Sequence, residues 1–152
     1  MLGRTVSHYT ILEKLGEVEQ FLGDPLKARL YYDAARKDLE RRVAAHTDDE
    51  RYHSALGIAL AGLGRKDEAL KEAQRGVELL PVEKEAWRGT HRLRALALVY
   101  MMIGEQERAL DVLDRLLAIP SELSRELLRA DPTWAALRTN KRFQELLKER
   151  PS

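Results

Sequence analysis

The sequence contains no cysteine. Disulfides and thiolate metal sites are therefore excluded, although that absence does not fix the compartment. Aromatic residues make up only 6%. No apolar run approaches the ~18 residues that a membrane-spanning helix requires. The first residues include Arg4 but lack the long apolar core of a signal peptide. A cytoplasmic location with no membrane partner is the expectation. A surplus of one charge is also missing, since 26 Lys and Arg stand against 25 Asp and Glu. Affinity for nucleic acid rests on such a cationic surplus, so no nucleic-acid partner is expected.

What remains is dominated by Ala, Leu, Glu, Arg and Lys, and 34% of the residues are charged. That is the composition of a helical protein. A chain of 152 residues suits one ordinary domain, taken here as residues 1–152.

An internal repeat organises it. Gly23, Gly64 and Gly104 lie 41 and 40 residues apart. Upstream of them stand Leu15-Gly16, Leu56-Gly57 and Leu96-Ala97. Downstream, at matching distance, stand Ala28, Ala69 and Ala109. The intervening turns read "FLGDPLKAR", "GLGRKDEAL" and "MIGEQERAL". Agreement at several positions over two steps marks a repeat. Each unit reads as helix, glycine turn, helix, with the glycine where a left-handed C-cap is needed. Pro81 and Pro120 stop the second helices of units two and three. Gly57 or Ala97 against Ala69 or Ala109 lets paired helices approach closely. A hairpin this short cannot bury its own face, so stacked neighbours supply the core.

These offsets resemble the tetratricopeptide repeat. The resemblance implies an all-α solenoid of three helical hairpins, approximately residues 8–46, 50–83 and 90–120, with a capping segment over 121–150. The family period is about 34, so each step carries roughly six or seven extra residues. They fall in "RRVAAHTDDER", expected to lengthen a helix, and in "PVEKEAWRGTH", expected to be a loop containing Trp87 and Gly89. In the C-terminal segment, Ser121 is expected to cap a short helix through Leu128, and Asp131-Pro132 to start another. Trp134, Leu137, Phe143, Leu146 and Leu147 are the apolar residues that segment has to bury.

From about Gln20 to Leu147 the chain is similar to the repeat region of large bacterial signalling proteins, among them serine/threonine kinases and adenylate cyclases. "HSALGIALAGLGRKDEAL" and "LLAIPSELSRELLRADPTWAALRTNKRFQELL" carry that likeness. Met1 to Gly16, with "SHYTILEKLG", resembles the start of a bacterial serine/threonine kinase. The glycine-rich phosphate loop that would follow is missing, as are H-R-D and D-F-G sequences, so kinase chemistry is excluded. In place of a kinase strand, Ile11, Leu12, Leu15, Val18, Phe21 and Leu22 recur at helical spacing. A first helix with Ser7 at its N-cap is the expectation.

No catalytic set emerges. His8, His46, His53 and His91 form no metal-binding pair at helical spacing, and His46 and His53 are expected at the surface or at helix ends. Neither enzyme activity nor a cofactor or metal is expected. The resemblance implies instead a concave groove lined by first helices that binds a protein or peptide. Its offsets place Glu13, Glu17 and Phe21 there in unit one, Arg51, Ser54 and Ile58 in unit two, and His91, Arg94, Leu98 and Met101 in unit three. Arg51 and Arg94 suit an acidic partner through charge-assisted hydrogen bonds. Met101 and Phe21 suit an apolar one. The same side chains equally suit packing on neighbouring helices or on the C-terminal segment, and the sequence leaves both open. A homodimer is a further expectation. The alternative function is a structural or vestigial remnant of a repeat-containing kinase, with no ligand.

Overall fold

The computed structural model describes residues 7–148, and among them there is no strand. Six helices form three antiparallel hairpins. They are α1 (His8–Phe21) with α2 (Pro25–Ala45), α3 (Glu50–Gly62) with α4 (Lys66–Leu79), and α5 (Ala86–Met102) with α6 (Gln106–Ala118). Two short helices, α7 (Arg125–Ala130) and α8 (Lys141–Leu146), flank a 3₁₀ turn over Pro132–Leu137. Each long helix packs on the next in chain order, and the first helices α3 and α5 also touch. The result is a short α-solenoid with a C-terminal cap, as the repeat predicts.

The three turns close identically. Gly23, Gly64 and Gly104 have φ of +85°, +77° and +88°, where a side chain would be strained. In each, the next residue's N–H reaches back across the turn: Asp24 to the Glu19 carbonyl, Arg65 to Leu60, and Glu105 to Tyr100. This is the Schellman closure of a helix C-terminus. At the far side of the turn Asp24 accepts from the Lys27 N–H and caps α2, and Asp49 does the same for α3 from Arg51. The small residues act as the spacing implies. A Cβ on Gly57 would stand 3.0 Å from the Ala69 carbonyl oxygen and the Ala73 nitrogen.

Two apolar clusters hold the stack. One joins Tyr9, Leu39, Leu56, Leu60 and Val99 through the first two hairpins into α5. The other joins Leu93, Leu110 and Leu113 to Trp134, Leu137 and Phe143 of the cap.

Four local expectations are corrected. "PVEKEAWRGTH" is mostly helix, because the Glu85 side chain accepts from the Arg88 N–H and starts α5 there. Trp87 and Gly89 therefore lie inside α5. Gly89 is small because a Cβ would meet the Val82 backbone at 2.7 Å. Ser121 does not cap a helix; its hydroxyl donates to the Leu116 carbonyl and accepts from the Leu123 N–H. Ser124 caps α7 instead. His53 is buried, with Nδ1 2.6 Å from Glu72 of α4 and Nε2 2.7 Å from the Thr47 carbonyl. The first helix forms from residue 8, but Ser7 stands at its N-cap without a side-chain hydrogen bond. Gly16 packs on the Tyr32 ring while its neighbour Leu15 faces outward. Of the kinase-like stretch, residues 1–6 lie outside the described residues, as do residues 149 and 150 of the expected cap.

Candidate concave binding face

The first helices α1, α3 and α5 present one side in common, and residues 131–134 of the cap lie against it. Asp131 is fixed locally, since it precedes Pro132 and accepts from the Thr133 N–H at 2.9 Å. From there it reaches to 3.5 Å from Arg94 on α5. The Thr133 hydroxyl donates to the Glu17 carboxylate on α1 at 2.6 Å. Trp134 is buried, and the Arg94 guanidinium lies 5.6 Å from the centre of its ring, within cation–π range. Burial works against ionisation of Asp131, but hydrogen bonds from Thr133 and the nearby Arg94 and Lys14 cations hold its carboxyl below the usual range. Glu17 and Arg94, which are 77 positions apart, are thus brought to one tetrapeptide of the same chain, the start of the 3₁₀ turn.

The other end of this face carries paired charges and aromatic rings. Arg88 on α5 pairs with Glu50 at the start of α3. Arg92 donates to the Glu50 carbonyl at 3.4 Å, and its Nε is buried without a hydrogen-bond partner. That burial lowers the Arg92 pKa, with Glu50 opposing the effect. Arg51 pairs with Asp49 at 2.7 Å and lies over Tyr52, while Arg42 lies over both Tyr9 and Tyr52. An open depression of about 470 Å³ runs here, lined by His46, Asp48, Asp49, Glu50, Arg51 and Arg88.

The remaining expected groove residues scatter. Ser54 is buried under α4, where a Cβ on Gly76 would come to 2.3 Å from its hydroxyl. It does not line the groove. Ile58, Leu98 and Met101 are half-buried and pack on the apolar clusters. His91 is half-buried and stacks edge-on against Trp87, ring centres 6.0 Å apart. Phe21 is exposed at the last turn of α1.

Glu13 holds an unusual place. Its Oε2 is buried without a hydrogen-bond partner. Burial raises its carboxyl pKa well above the ordinary glutamate value, and a hydrogen bond from the Ala59 backbone offsets part of that. Burial also raises the Tyr32 phenol, helped by the Glu17 and Glu13 charges. A carboxyl raised in the folded state binds its proton more tightly there than in the unfolded chain. The stability this adds is present below the ordinary glutamate range and is lost as pH rises through the folded value. Glu13→Met should therefore stabilise the protein at pH 8 by about 1–2 kcal/mol, with a smaller gain at pH 4.5. Thermal midpoints of both proteins at the two pH values check this. Equal shifts at both would rule the burial argument out.

No family model and no curated protein matches the sequence. Among solved structures the chain is similar to a crystal structure of MamA, at 22% identity and a TM-score of 0.49. The match covers 92% of this chain and 72% of that one. At that level it decides nothing about function. Among the described residues no helix is long and apolar enough to cross a membrane.

Proposed function

We propose that the protein is a non-enzymatic binding module that holds an acidic protein segment along the concave face of its first helices. The observation that carries this reading is the docked Asp131–Trp134 segment. A carboxylate on Arg94, a hydroxyl on Glu17 and an indole under a guanidinium are the contacts a peptide ligand would make. At the other end the half-exposed Arg51 and Arg88 guanidiniums, each already paired with a carboxylate, offer similar chemistry to a ligand carboxylate that displaces those pairs. Membership of a bacterial signalling assembly is part of this reading and rests on the resemblance of the repeat region.

The same observation favours a second reading. A groove filled by its own chain is also what a purely structural remnant would show. A labelled peptide copying residues 129–136 separates the two. Fluorescence anisotropy should show saturable binding in the micromolar range. Arg51→Glu should weaken it about tenfold, equivalent to 1.4 kcal/mol, and Arg51→Glu with Arg94→Glu further still. Arg51→Glu leaves every cap contact intact, so its thermal midpoint should stay within a degree or two. No saturable binding, or binding indifferent to both substitutions, would leave only the structural reading.

A further inference from the structure

Among the described residues, the outer face of the first hairpin is apolar and exposed. Ile11, Leu15, Val18 and Leu22 recur at steps of four, three and four, so they form one stripe along α1. The stripe lies opposite the inward face that carries Tyr9 and Gly16. Across the Gly23 turn, Leu26 and Leu30 extend the apolar surface onto α2, and Phe21 adjoins it. These seven side chains are exposed by between 38% and 77%. Together they present on the order of 500–600 Å² of apolar surface, at or above the largest patch of an ordinary monomer. The two ends of the solenoid differ sharply in this. At the C-terminal end Trp134, Leu137 and Phe143 are buried by the cap, whereas a terminal repeat normally needs a polar outer face to stay soluble.

We infer that this face is the interface of a two-fold dimer, the occupant being a second copy of the same chain. Area and charge both favour a copy of itself. With its polar rim, the patch reaches the ~800 Å² per partner typical of specific interfaces. The stripe is edged on one side by Lys14, paired within the chain with Glu17 at 3.3 Å, and on the other by Glu19, paired with Lys27 at 3.5 Å. A partner copy's charges would exchange with these pairs. A two-fold axis along α1 sets the lysine edge of one copy beside the glutamate edge of the other, as flanking charges do in parallel coiled coils. An isologous contact closes on itself, so association stops at two. The inference rests on the apolar stripe and not on the concave face, although Lys14 borders both.

Sedimentation of the full chain between 1 and 100 μM tests it. A dimer is expected, with association weakened at least a hundredfold by Leu26→Glu with Leu30→Glu. Both residues are exposed, so the variant should fold with the parent's helical content, melting lower only by the stability the dimer contact supplies. Trp87→Glu and Leu127→Glu, exposed elsewhere, should leave the dimer unchanged. The absence of cysteine allows a second readout: Leu22→Cys should form a disulfide-linked dimer under mild oxidation, and Trp87→Cys should not. A monomer at 100 μM would overturn the inference. So would open-ended aggregation, or a dimer indifferent to the Leu26 and Leu30 charges.

Discussion

Gly62→Ala is expected to destabilise the protein by about 2–3 kcal/mol, although alanine is the better helix former. In an exposed helix the same change would stabilise by up to about 1 kcal/mol. Here a Cβ on Gly62 would stand 2.4 Å from the Tyr32 ring, and on its other side the ring is met by Gly16. A Cβ there would come to 2.9 Å from the same ring. Tyr32 is therefore a wedge between two glycines, one on α1 and one on α3, and has no free side to retreat to. Its own residue is buried, so moving the ring means parting the first two hairpins. At roughly 2–4 °C per kcal/mol for a chain of this size, the thermal midpoint should fall by about 5–10 °C. Combining Gly62→Ala with Tyr32→Leu should recover part of the loss, because the clash partner is gone. A midpoint equal to or above the parent's would show that the ring yields freely, and the wedge account would fail.

The sequence conveyed the parts of this fold that are periodic. Turn glycines and their paired alanines were legible because backbone-to-backbone approach admits only small residues, and three copies fall in register. The helix at residues 8–21 was legible for a similar reason, since Ile11, Leu15, Val18 and Leu22 share a helical face. Which face they occupy was not. Spacing reports that residues are on one side, not what lies opposite, and on an end hairpin both sides of α1 are apolar. His53 was missed although a signal existed: it shares a helical face with Leu56 and Leu60, both buried. A polar residue within a buried stripe has to find partners, and Glu72 and Thr47 supply them. The concave face was the least legible part. Glu17 and Thr133 meet across a separation of 116 residues, and a single 3₁₀ turn such as that at 132–137 is too short for a period to announce its docking. The family offsets nominated Glu17 and Arg94, both of whose side chains contact the cap segment. They also nominated Ser54, because offsets cannot register that Gly76 opens a space beneath α4 for it to fill.

Trp134→Ala should have the largest effect of any single substitution in the cap, about 3–5 kcal/mol. The indole is almost wholly buried and belongs to the cluster of Leu93, Leu110, Leu113, Leu128, Leu137 and Phe143. Truncating it opens a void that the 3₁₀ turn is too constrained to close, with Pro132 at one end and Asn140 anchoring α8 at the other. The loss reaches the concave face as well. Arg94 surrenders its aromatic partner, and the Asp131 and Thr133 contacts lose the anchor that holds their segment in place. A solenoid transmits stability between nearest neighbours, so the damage should be graded along the chain. Hydrogen exchange should show protection lost first in α7, α8 and α6, while α3 and α4 stay close to the parent. Trp134→Phe keeps much of the apolar volume and should cost less than half as much. Uniform loss of protection from α1 to α8 would mean that the cap and the first hairpins unfold as one unit. In that case the concave face could not open at its capped end without global unfolding, and the peptide would have to bind at the Arg51–Arg88 end alone.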